Sequence, residues 1–117
     1  MTDNPNYNTL PKLTYFAPEI AGPGVQMCEL KLDPFGDPLA PFKASRDTVE
    51  PNCITPIDSH EVREIWFIAK GKGELIYDNR SLRIRSGDVV YFEPNKTHQL
   101  RNDGEDMIVF YSIWWGS

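Results

Sequence analysis

Turn-forming residues divide this chain too finely for helices. From Gly71 onward they recur every seven to ten residues, at Gly71, Asp78-Asn79, Ser86-Gly87, Pro94-Asn95 and Gly104. A helix needs roughly ten or more residues of unbroken 3.6-residue period, and no segment shows one. What lies between the turns is short and rich in branched and aromatic residues, as strands require. The sequence predicts strands at 25–32, 42–49, 64–69, 74–77, 81–85, 89–92, 97–101 and 107–115. Leu82 and Ile84 alternate with Arg83 and Arg85, the period of a strand with one face inward. Many short strands at even spacing imply an all-β sandwich or barrel.

At 117 residues and 13.4 kDa the chain has the size of one domain. Residues 1–24, with Pro5, Pro11 and Pro18, are expected to form an N-terminal arm that pairs at a dimer interface, and residues 25–117 the barrel. Seventeen acidic against 12 basic residues give a net charge of -5. That balance disfavours nucleic acid and anionic membranes as partners, because both are bound through cationic patches. No apolar run is long enough to span a bilayer, and the N-terminus lacks the order of a signal peptide, so a cytoplasmic location is expected. Cys28 and Cys53 form no CxxC pair and read as small apolar residues. Exposed barrel edges and the arm suggest a homodimer.

There are only two histidines, His60 and His98. Asp58, His60 and Glu64 share parity, so on an extended chain their side chains point to one face. Unpaired charge is costly inside a barrel, and a divalent cation would satisfy all three groups at once. His98, at the start of another strand, offers a fourth donor. Two imidazoles and two carboxylates suit iron, manganese, zinc or nickel as the single divalent ion. Trp66 shares the parity of Glu64 and is the candidate aromatic wall of a small-molecule pocket. Arg46 is the candidate contact for an anionic group. Trp66, Trp114 and Trp115 all read first as core or interface residues.

The two histidine segments resemble the cupin superfamily. Its first motif has Gly, His, His, Glu and Gly, here Asn52, Asp58, His60, Glu64 and Gly71 with every spacing kept. Its second has Gly, Pro, Gly, His and Asn, here Gly87, Glu93, Asn95, His98 and Asn102, again in register. Asn52 and Asn95 replace glycine but tolerate a left-handed backbone. Pro94 lies one position after the missing proline. Asp58 replaces the first histidine. The resemblance implies a double-stranded β-helix, the jelly-roll cupin barrel, over residues 42–115. It also implies metal ligation by His60, Glu64 and His98, and by Asp58 through position alone; Asp58 either binds the ion or leaves that place to water.

Two functions follow from the resemblance. One is a metal-dependent small-molecule enzyme, whose relatives include dioxygenases, isomerases and lyases. Within it, the Asp-x-His variant resembles zinc cupins that act in nitrogen–nitrogen bond formation. The other is a non-catalytic binding barrel or a partner subunit of a biosynthetic enzyme. No general base is visible apart from the ligands.

Overall fold

The computed structural model describes residues 12–34 and 36–116, and the first part of the expected arm lies outside them. The described residues contain strands and turns but no helix. The strands are β1 (Glu19–Gly22), β2 (Val25–Glu29), β3 (Lys43–Val49), β4 (Arg63–Lys70), β5 (Lys72–Tyr77), β6 (Arg80–Arg85), β7 (Val89–Phe92), β8 (His98–Arg101) and β9 (Ile108–Trp115). The all-β expectation holds, as does each strand predicted from residue 42 onward, within a residue or two. The alternation did not mark β1. Pro23-Gly24 forms the turn of a β1–β2 hairpin, so Glu19–Gly22 is part of the sheet.

Two antiparallel sheets face each other in a jelly roll. One has six strands in the order β1-β2-β3-β9-β4-β7, the other three in the order β6-β5-β8. Isolated bridges Ile54↔Arg101 and Asp58↔His98 lay the segment before β4 alongside β8. The β5–β6 hairpin turns on Asp78 and Asn79, both at positive φ (49° and 65°), as a two-residue turn with both centres left-handed requires. Asn52 and Asn95 sit at φ 63°, in the left-handed region where the family motif places glycine. At Gly71 (φ 88°), an added Cβ would lie 2.9 Å from the Met107 carbonyl oxygen, so that position excludes a side chain by both conformation and space.

Strand register sets what faces inward. Directly paired residues share a face, so β2, β3, β9 and β4 present transverse rows to the interior. Lys43, Trp114 and Glu64 form the row at the open end, followed by Glu29, Ser45, Ser112 and Trp66, and then by Met27, Asp47, Phe110 and Ile68. Val25, Val49 and Ile108 close the far end, where they join a core containing Leu75, Ile84, Phe92 and Leu100. One end is therefore an apolar plug, and the other carries the polar groups.

Asn102, in the second motif, is wholly buried and bolts loops together. Its Nδ2 donates to the carbonyls of Val49 (2.9 Å) and Asp106 (2.8 Å), and its Oδ1 accepts from the Gly104 N–H (3.0 Å). Replacement by alanine orphans buried backbone groups. Asn102→Ala is expected to lower unfolding free energy by about 3 kcal/mol, measured by urea denaturation. A loss under about 1 kcal/mol would mean that water replaces the amide.

Candidate metal centre

Glu64 is the inward residue at the start of β4, and its two oxygens have different surroundings. Oε2 accepts the Trp66 indole N–H at 2.8 Å and the Ser112 hydroxyl. Oε1 is left facing the two histidines, 2.8 Å from His60 Nε2 and 3.5 Å from His98 Nε2. Trp66 is thus buried behind the carboxylate and orients it, instead of forming an open pocket wall.

Parity along one strand does not bring Asp58 and His60 to this point, because β4 begins only at Arg63. Pairing between segments does. Asp58 and His98 exchange both backbone hydrogen bonds (3.0 and 2.9 Å), which fixes the aspartate beside the histidine. The Asn95 N–H, in the turn before β8, donates to the His60 carbonyl at 2.8 Å and ties the two motifs together. The His60 ring is aimed by its Nδ1, which donates to the Val62 carbonyl at 3.2 Å. Asp58 Oδ1 takes the Ser59 N–H, and Oδ2 lies 3.9 Å from His98 Nε2. One donor atom each from Asp58, His60 and His98 lies within 4.8 Å of the others.

The chemistry of this set fits a cation. With His60 Nδ1 carrying its hydrogen, a neutral ring turns a lone pair from Nε2 toward a carboxylate oxygen. That contact needs a proton between the two groups or a cation beside them. His98 is buried, stacked on Phe92 at 4.3 Å and edge-on to Trp66 at 5.5 Å. Among the described residues its Nδ1 has no partner at good hydrogen-bond geometry, with only the Lys96 backbone acting on the ring. Burial pushes the His98 pKa below 6.5, although the Glu64 and Asp58 carboxylates oppose the shift. It is therefore held neutral, the form that ligates a metal.

Asp47, an interior carboxylate, escaped the sequence reading. Asp47 faces inward on β3 and accepts the Ser45 hydroxyl at 2.6 Å on Oδ1. Burial, reinforced by the charge of Glu64 and opposed by the Ser45 hydrogen bond, raises its pKa to about 7. Its signal was the alternation Ser45, Asp47, Val49, the face opposite Arg46 and Thr48. Arg46 pairs with the exposed Tyr111 and with Cys28, so the structure places it on the outer surface and not with the cluster. A cavity of about 580 Å³ is lined by Phe16, Leu30, Lys43, Val62, Trp114 and Trp115, among others, and by none of the four donors. Lys43 and Trp114 share the row of Glu64, and the Val62 carbonyl accepts from His60, so these residues link the cavity lining to the centre. Its volume suits a small molecule. Trp114 and Trp115, expected in core or interface, line it.

Known proteins agree with this architecture. Residues 45–114 match the family model described as Cupin domain. A curated relative, an uncharacterized protein of Methanocaldococcus jannaschii, is 34% identical over 41 residues; the match covers 35% of this chain and 33% of that protein, so the chain spans about a third of its length. A Cupin 2 conserved barrel domain protein from Salinispora arenicola is 31% identical with TM-score 0.68, covering 78% of this chain and 76% of that one. A predicted oxalate decarboxylase from Thermotoga maritima, 19% identical, superposes with TM-score 0.72 over 89% of this chain and 93% of that one, a likeness of fold. Among the described residues, no helix is long and apolar enough to cross a membrane.

Proposed function

Since the chain belongs to the cupin family, we propose that it is a small-molecule enzyme working with one divalent metal ion held by Asp58, His60, Glu64 and His98. The observation that carries this reading is the convergence of those donors at the open end of the barrel. A divalent ion there supplies Lewis-acid activation of a carbonyl or carboxylate oxygen. The rest falls to the chain. Trp114 and Phe16 offer apolar faces to the body of a ligand, and the Lys43 ammonium stands at the rim in the same row as Glu64. Trp66 and Ser112 fix the orientation of Glu64. Asp47 is the interior group able to hold a proton near neutral pH.

The competing reading is a metal-free binding barrel, and chelation separates the two. After dialysis against a chelator and reloading with Mn(II), the enzyme reading expects fast water-proton relaxation, reporting an exchangeable water at an open position. It also expects the midpoint of thermal unfolding to fall on chelation. A fold unmoved by chelation, with no relaxation enhancement on reloading, would favour the binding barrel.

A further inference from the structure

The inner face of the six-stranded sheet holds more negative charge than the metal centre uses. The residues that β2, β3, β9 and β4 turn inward include three carboxylates, Glu29, Asp47 and Glu64, and one cation, Lys43 at the open end. Glu64 Oε1 faces the histidines, and burial raises the Asp47 pKa to about 7, so a proton can neutralise it. Glu29 has neither arrangement. It is half-buried at the end of β2, and among the described residues its carboxylate makes no hydrogen bond or ion pair, although Lys43 is two residues along β3 from its partner Ser45. Glu29 opens instead on the cavity of about 580 Å³, with Asp33 as a second carboxylate. The aromatic walls are Phe16, Phe42, Trp114 and Trp115. The Phe16 N–H donates to the Glu29 carbonyl at 2.8 Å, which sets this residue beside the glutamate. The Lys31 ammonium lies 5.3 Å from the Phe16 ring centroid, so an aromatic face here already holds a cation.

We propose that this cavity takes an organic monocation, an ammonium group on an apolar or aromatic body, with Glu29 as its anionic partner. This ligand class rests on the small-molecule reading above. A carboxylate withdrawn from water without a partner is costly, and an ammonium group restores both the opposite charge and the hydrogen bonds. The same ring faces that bury a hydrocarbon body attract the cation through their quadrupoles. An inorganic cation lacks donors here. Among the described residues, the group of three or more that could hold a metal ion is Asp58, His60 and His98, and neither Glu29 nor Asp33 belongs to it. An anionic ligand would have Lys43 alone, and that residue is exposed at the rim while Glu29 is half-buried. Two carboxylates against one ammonium leave the lining net negative.

Isothermal titration calorimetry on the protein as purified tests it, with phenethylammonium, neutral 2-phenylethanol and anionic phenylacetate as probes of similar size. Metal content is measured on the same sample, so the cavity and the metal centre can fail separately. Phenethylammonium should bind at least about 10-fold more tightly than 2-phenylethanol, the factor expected for hydrogen bonding to a charged partner. Glu29→Gln should remove that preference and leave the affinity for 2-phenylethanol within about twofold. If this variant fails to fold, Glu29→Thr, which suits a strand, carries the same test. Equal binding of amine and alcohol would overturn the proposal. So would tighter binding of phenylacetate, a preference that persists in the folded Glu29 variant, or no binding of phenethylammonium at about 10 mM.

Discussion

Replacing His98 with alanine is expected to empty the metal centre. Untagged wild-type protein should carry close to one equivalent of iron, manganese, zinc or nickel by plasma mass spectrometry. His98→Ala and His60→Ala should each lower affinity by at least about 100-fold, more than the loss typical of an outer-shell group. Arg46→Ala should leave the metal in place, because that side chain is on the outer face of β3. Acid should release the ion, since protons compete for the same nitrogen lone pairs. Burial places the His98 pKa below 6.5, so competition at this ring begins below that pH. Folding stability of the metal-free protein should follow the same sign: the unfolded ring takes up a proton first, and stability falls as pH drops below 6.5. Affinity that is flat from pH 7 to 5 would mean that the imidazoles are not ligands.

The second large effect is expected at Asp47, where an isosteric change should stabilise the protein. The folded carboxyl has a pKa of about 7 against 3.8 for the unfolded chain. The folded state therefore binds the proton more tightly, and stability declines as pH rises from about 4 to about 7. An asparagine side chain at this position would carry no such charge. Asp47→Asn should match wild type near pH 4 and exceed it by a few kcal/mol above pH 7, measured on metal-free protein by denaturant unfolding. The His98 contribution is common to both proteins and cancels in the difference. A gain independent of pH would show that charge burial is not the cause. Loading wild type with a divalent ion should recover part of the same stability, because the cation offsets the interior carboxylates.

Local departures from the family motif have local explanations. Glu93 stands where the motif has proline, and the structure uses what proline lacks: its N–H donates to the Tyr77 hydroxyl at 3.1 Å, and its carboxylate accepts from that hydroxyl at 3.0 Å. This clamp restrains the turn before β8, which otherwise relies on Pro94. The asparagines at 52 and 95 adopt the backbone of the glycines they replace.

Features set by neighbours along the chain were legible in the residues themselves. Turn residues and alternation placed the strands from residue 42 onward, since both act through local φ/ψ preference and the two-residue side-chain period. Motif spacing singled out His60, Glu64 and His98, because the number of residues between two turns fixes which positions return to the same end of a barrel. Which face of each strand became the interior was settled by tertiary pairing. On β3, both Arg46 and Asp47 were polar residues in an alternating segment. Pairing with β9 sent Asp47 in beside Phe110 and Arg46 out beside Tyr111. The same holds for Asp58, which reaches the centre through a backbone bridge to His98, forty residues away along the chain. Register between distant strands is chosen by the total burial of the sheet, a sum over contacts that no single segment contains.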